Sequence, residues 1–183
     1  IDLMTGDKCI FIEDFAIRLA SHDQFTPHRE VSRQIQRLRD LINRANIACG
    51  GDTELQSHWA KYICIICSGL LENALNEIYT DYAFKQISQP IASFVSSKLS
   101  QIRNPKSSVF LETATAFKPV WRNELKNFME DEGRGDAIDS IIKNRHLIAH
   151  GSDQNSGVTV SRVKDWLEKA IEVLEFIESQ CQQ

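Results

Sequence analysis

The sequence predicts an all-α fold, an up-and-down bundle of about five to seven helices. Apolar residues recur at helical spacing through most of the 183 residues, and no stretch alternates as a half-buried strand does. The links between the periodic stretches are short, which favours antiparallel neighbours. We expect one domain over residues 1–183, with residues 1–25 as an N-terminal extension and residues 26–180 as the bundle.

The first half of the chain predicts four helices. The first of them could also be a short strand, although its pattern favours a helix. Pro27 opens the second helix, and Asp52 or Thr53 caps the third. Pro90 precedes the fourth. The four segments span about residues 8–20, 27–47, 54–85 and 91–102.

The second half predicts three helices after an undecided segment. Residues 106–117 fit either an extended piece or a helical turn. Pro119 then starts a helix that glycines end, and Asp136 opens the next one. Thr159 or Ser161 caps the last helix. The three helices span about residues 119–131, 136–150 and 160–179.

Composition indicates a globular protein and excludes several classes. Hydrophobic residues make up 42% of the chain and charged residues 25%. The net charge of -4 offers no general attraction for nucleic acid, so an RNA contact would need a local basic patch. No apolar run is long enough for a membrane span and no signal peptide is visible, so we expect a cytoplasmic protein without a membrane partner. No glycine-rich phosphate loop is present, and no cofactor is expected.

The five cysteines predict buried thiols in a reducing compartment. Their odd number suggests no disulfide framework. Cys64 and Cys67 form a CxxC motif inside an apolar run, without a second such pair for zinc and without the βαβ pattern of a thioredoxin motif.

The most informative stretch is NRHLIAHG at residues 144–151. At about 100° per residue, Arg145 falls in the middle of an apolar face, where a cation is costly unless an anion meets it. His150 lies beside His146, about 120° around the helix from Ile138. The group suits a phosphate or a carboxylate that has to be held, but it also fits a structural role in which the arginine pairs with an acid and the histidine caps helix carbonyls. The histidines lack a third ligand, so no metal site is expected.

Two glutamates are candidates for restraining Arg145. Periodicity places Glu77 on the apolar side of its helix and Glu72 on the opposite side. Either could equally be a solvated surface carboxylate.

A stripe of arginines could give RNA a landing surface. Its members fall within about 80° of one another, opposite the apolar face of the first long helix. An ordinary solvated face paired with acids is the alternative. The stripe consists of Arg29, Arg33, Arg37 and Arg44.

The stretch NRHLIAHG resembles the hallmark of the HEPN superfamily, which is Arg, a polar residue, three further residues and His. These are Arg145, His146 and His150 here. The segment 59–78, which contains SGLLE at 68–72, looks like the family's earlier core helix, whose acidic residue would be Glu72. Residues 102–121 look like the RiboL-PSP subgroup.

The resemblance implies a homodimer whose two motifs meet across a two-fold axis. Many members are metal-independent ribonucleases that act as toxins or antiviral-defence effectors, and some of these have an antitoxin. Others keep the fold without catalysis and bind RNA or a protein, or mediate dimerisation. In members silenced by a nucleotidyltransferase antitoxin, a tyrosine lies two residues after the histidine. Ser152 stands there, which speaks against regulation by adenylylation.

The chemistry of RNA cleavage assigns roles to the motif. Histidine suits the proton transfers and arginine suits the phosphorane charge, so His150 is the candidate acid–base and Arg145 the candidate phosphate ligand. His146 and Asn144 are candidates for orienting the substrate. The sequence therefore predicts a dimeric HEPN-type endoribonuclease, with a non-catalytic HEPN binding domain as the alternative.

Overall fold

The computed structural model of the protein describes residues 29–152 and 156–182. These residues form seven α-helices and one 3-10 turn, with no strand among them, so the predicted all-α class is confirmed. The predicted segment 8–20 lies outside the described residues. We number the helices α1 (Arg29–Ala48), α2 (Thr53–Gln86), α3 (Gln89–Leu99), α4 (Ser107–Phe117), α5 (Pro119–Glu130), α6 (Arg134–Ala149) and α7 (Val160–Cys181).

The long helix α2 forms the centre of the bundle. Its N-cap is Asp52, whose carboxylate accepts the backbone N–H groups of Glu54 and Leu55 at 3.0 Å each. With 34 residues α2 is about 50 Å long, and it buries apolar side chains along its length. It packs against α1, α3, α6 and α7. Among the described residues, none of the helices has the length and the hydropathy that a membrane span requires.

The helix directions define two poles of the bundle. Gln34 of α1 lies 3.5 Å from Asn73 of α2, so these consecutive helices run antiparallel. Arg134, at the start of α6, meets Glu172 in the second half of α7, which makes α6 and α7 antiparallel as well. We call the end of the bundle that holds residues 145–150 the motif pole.

The central helix runs antiparallel to α6. Cys64 of α2 meets Ile141 of α6, whereas Tyr79 lies against Trp121, whose carbonyl oxygen binds Gln180 near the end of α7. From Cys64 onward α2 therefore runs away from the motif pole. Its first two turns lie beside the end of α6.

The undecided segment 106–117 is a helix, α4. Its N-terminus has no side-chain cap of its own. The carboxylate of Asp139 on α6 replaces that cap, because it accepts the Ser107 backbone N–H at 2.7 Å and the Ser107 hydroxyl at 2.8 Å. Just before this point Glu72 of α2 accepts the Asn104 backbone N–H at 2.6 Å. Residues 104–107, the 104–107 linker, are thus tied to both α2 and α6.

Helix α6 begins two residues earlier than Asp136, the start predicted from sequence. A 3-10 turn precedes it, and Gly133 at its end has a φ of 68°. The early start is explained by Arg134, whose side chain is only 7% exposed. Its guanidinium binds Glu172 at 2.6 Å and lies 4.3 Å from the ring centre of Phe128. The burial of this cation is thus compensated by a carboxylate and an aromatic ring.

Candidate functional site

The end of α6 is closed by a glycine turn that sets the position of His150. Gly151, at φ 70°, donates its N–H to the Ile148 carbonyl at 3.3 Å, and the Ser152 N–H reaches the Leu147 carbonyl at 2.9 Å. This pair of bonds is the Schellman pattern, which satisfies carbonyls at a helix C-terminus. His150 is the C-cap and donates its own N–H to His146 at 3.1 Å.

The two histidines of the motif form an exposed pair. Their ring centres are 4.2 Å apart and the planes are inclined by 53°. Both residues are exposed, and neither side chain hydrogen-bonds to any residue that the structure describes. The neighbouring position predicted from sequence is therefore present, with both imidazoles accessible from solvent.

Arg145 is half-buried at the edge of the packed face of α6. The buried residues of that face include Ile138, Ile141 and Ile142, whereas Ala149 is exposed. Ile148 still packs against the core but is only partly buried, so the cover of this face thins out within the motif. Arg145 has no ion pair or side-chain hydrogen bond within residues 29–152 and 156–182. The counter-ion that the structural interpretation requires is not present in those ranges.

The helix segment that carries Arg145 is anchored to α2 by a cysteine. The Cys64 sulfur lies 3.6 Å from the Ile141 carbonyl oxygen, the group that in an α-helix also accepts the N–H of Arg145. Burial raises the pKa of the Cys64 thiol to about 12, so the thiol stays protonated and can donate. The sequence predicts a buried Cys64 thiol, and the structure confirms it. No local signal in the sequence shows which helix this thiol contacts.

Asn144, a candidate for orienting the substrate, lies on the packed side of α6. It is 7% exposed, and its amide nitrogen donates to the Ser140 carbonyl at 2.8 Å. Its side chain therefore binds its own helix and is not grouped with the two histidines.

Neither candidate glutamate contacts Arg145. Glu72 binds the 104–107 linker through Asn104. Glu77 is exposed and lies further along α2, away from the motif pole. The two glutamates suggested as restraints on the arginine therefore have other surroundings.

The predicted arginine stripe lies on α1 and is exposed at all four positions, Arg29, Arg33, Arg37 and Arg44. Helix α1 packs mainly against α2 and α7, not against α6, which carries the motif. Arg33 forms an ion pair with Glu30 at 3.2 Å, and Arg37 lines a groove of about 370 Å³ between α1 and α2. Arg44 lies toward the motif pole, whereas Arg29, Arg33 and Arg37 lie in the half of α1 that is remote from it.

Metal-ligating residues do not gather in the part of the chain that the structure describes. No three His, Cys, Asp or Glu side chains there are close enough to hold a metal ion. The pair formed by His146 and His150 consequently has no third ligand among those residues.

An all-α bundle that carries Arg-x4-His at the end of its penultimate helix, with the histidines exposed, defines the class of protein. The chain belongs to the RiboL-PSP-HEPN family, whose model matches residues 29–183. The family predicted from the motif is thus confirmed. No curated protein and no solved structure matches the chain. The HEPN superfamily includes many ribonucleases, so membership indicates an RNA-related function in coarse terms.

Proposed function

We propose that the protein is a metal-independent endoribonuclease of HEPN type. Its composite site would form from two Arg-x4-His motifs at a homodimer interface. The observation that carries the proposal is that the two motif histidines are exposed and that the half-buried Arg145 has no anionic partner in the part of the chain that the structure describes. Among the described residues Arg145, His146 and His150 have no ion-pair partner, and a glycine turn holds the two imidazoles side by side. A motif retained only for packing would be buried and satisfied.

The chemistry needs no metal because RNA carries its own nucleophile. The 2′-oxygen attacks the adjacent phosphorus and loses its proton to a base, and the bond from phosphorus to the 5′-oxygen breaks. An acid protonates that oxygen, which leaves a 2′,3′-cyclic phosphate and a 5′-hydroxyl end. In the proposal His150 moves the protons and Arg145 stabilises the charge on the phosphorane oxygens.

Two features support the requirement for a second copy. Arg145 and His150 lie about 140° apart around α6, so one copy presents them in different directions. A two-fold axis would bring a second histidine and arginine to the same phosphate. Beside the motif, the first half of α2 exposes large apolar side chains that a partner could cover. These are Leu55 (39% exposed), Tyr62 (53%) and Ile65 (40%).

The proposed cellular role is that of a toxin or an antiviral-defence effector in the cytoplasm, with RNA as substrate. An antitoxin or another inhibitory protein would be its partner. Ser152 occupies the position at which nucleotidyltransferase-regulated members carry a tyrosine, so inhibition would have to act by a route other than adenylylation of that residue.

The test is RNA cleavage in EDTA by the full chain and by His150→Ala and Arg145→Ala. We expect the unmodified protein to produce 2′,3′-cyclic phosphate ends and each variant to lose at least about 100-fold in rate, since acid–base help and charge stabilisation are each worth that much. Arg122→Ala is the matched control, because Arg122 is an exposed arginine on α5. This variant should cut RNA at the unmodified rate.

Analytical ultracentrifugation of each variant checks that the dimer and the fold are retained. Equal cleavage by folded, dimeric His150→Ala would contradict the proposal. No cleavage of diverse RNAs by the unmodified protein would do the same, and would favour the non-catalytic HEPN binding domain.

A further inference from the structure

Four residues of α6 form one straight row that ends at the motif. They lie at successive spacings of four, three and four, so their directions differ by no more than about 60° around the helix. The first member is half-buried and the other three are exposed. The row consists of Asp139, Lys143, His146 and His150.

The 104–107 linker extends this row at the end remote from the motif. The Asp139 carboxylate accepts two hydrogen bonds from Ser107, which brings the start of α4 onto the row. Lys106 is the exposed residue directly before Ser107, so its backbone is held next to the Asp139 end of the row. Because Asp139 uses both its oxygens on Ser107, the side chains left to meet a ligand along the row are Lys106, Lys143 and the two histidines.

Both lysines are available to an anion. Neither Lys106 nor Lys143 forms an ion pair with any residue in the part of the chain that the structure describes. This distinguishes them from Arg33 and Arg39, which are held by Glu30 and Glu168. A cation that is not already paired gives up less when it binds a phosphate.

We infer that Lys143 and Lys106 bind the RNA backbone on one side of the scissile phosphate, and so guide the strand along the outer face of α6 to His146 and His150. The inference rests on the proposed function and gives that site its substrate path. From Asp139 to His150 the row is about 16 Å long, enough for several phosphates. In a two-fold assembly the row is repeated on the other side of the shared site, so a strand cut there meets lysines on both sides.

The test measures RNA binding and cleavage by Lys143→Gln, Lys106→Gln and the double variant. Binding of a fluorescent oligoribonucleotide is followed by anisotropy in a His150→Ala background, so that the RNA stays intact. We expect each lysine change to weaken binding about three- to tenfold and to lower the salt dependence by about one phosphate contact. In the active background KM should rise with kcat unchanged. Lys98→Gln is the control, because Lys98 is an exposed lysine on α3. It should bind and cut RNA as the unmodified protein does.

The outcomes separate this inference from the proposed function. If the protein cuts RNA and the lysine variants bind and cut as the control does, the substrate path is wrong and the ribonuclease stands. If the protein does not cut RNA, but its RNA binding depends on both lysines, the path stands and the ribonuclease is wrong. If it does not bind RNA, both are wrong.

Discussion

The two arginines of α6 differ in how completely the neighbouring helices bury their side chains. Arg145 is half-buried and has no anionic partner among the described residues. Arg134, whose side chain is 7% exposed, binds Glu172, Asp131 and Glu132. Periodicity gives the face of a residue but not the point at which the neighbouring helices stop covering that face.

This difference gives a stability prediction for Arg134. We expect Arg134→Ala to lower the free energy of unfolding by about 2–3 kcal/mol, less than a fully buried pair would lose because two of its three carboxylates are exposed. Urea unfolding measures the change. The matched control is Arg39→Ala, whose pair with Glu168 is about two-fifths exposed and should contribute less than about 1 kcal/mol. Equal losses of unfolding free energy in the two variants would show that burial does not strengthen the ion pairs of Arg134.

Helix ends were predictable where the signal is local. The cap at Asp52 and the glycine turn after His150 follow from neighbouring residues, and both are present. The start of α4 was not predictable, because its cap is Asp139, 32 residues further along the chain from Ser107. A segment whose end is satisfied by a distant side chain carries no signature of its own.

The glycine turn of α6 gives a prediction at the level of one element. Gly151 has a φ of 70°, a conformation that costs a residue with a side chain about 1–2 kcal/mol. We expect Gly151→Ala to lose about that much stability in thermal unfolding, and to lower cleavage as well because the same turn positions His150. Gly69→Ala is the control, since Gly69 lies inside α2 with no atom within 4 Å of an added Cβ. Gly69→Ala should raise the free energy of unfolding by about 0.5–1 kcal/mol. A stable, fully active Gly151→Ala would show that the turn is dispensable.

At the level of the whole molecule, one acidic face of α7 links helices that are distant in sequence. Glu168 accepts a hydrogen bond from Arg39 of α1 at 3.0 Å, and Glu172 pairs with Arg134 of α6. Glu175 lies on the same face, one turn further along. Its burial raises its pKa to about 7, a shift that Arg39 opposes and the two neighbouring glutamates reinforce.

The raised pKa of Glu175 makes global stability depend on pH. The unfolded carboxyl ionises near pH 4.5, whereas the folded one keeps its proton up to about pH 7. The folded state thus binds more protons in this range, so stability falls as pH rises from about 4.5 to 7, by about 2–3 kcal/mol from this group. Glu175→Gln should match the unmodified protein near pH 4.5 and be more stable at pH 8. A parallel pH dependence of the urea midpoint in both proteins would contradict this.

The arrangement of helices in space was the part least open to sequence reasoning. Apolar periodicity predicted most helices and the bundle class, because each helix must bury its own stripe. It placed Arg29, Arg33, Arg37 and Arg44 correctly on one exposed face, yet it could not show that α1 packs away from α6. The row from Lys143 to His150 lies within one helix, but Lys106 joins it only through the contact between Ser107 and Asp139.

The antiparallel order has a practical consequence for how the protein can be joined to other chains. Helix α1 begins, and α7 ends, at the pole opposite the motif, as Gln34 beside Asn73 and Gln180 beside Trp121 indicate. A fluorescent protein or a purification tag joined directly after Cys181 would therefore attach about the length of α6 away from His150. A label at that position should leave the motif open to a second copy and to RNA.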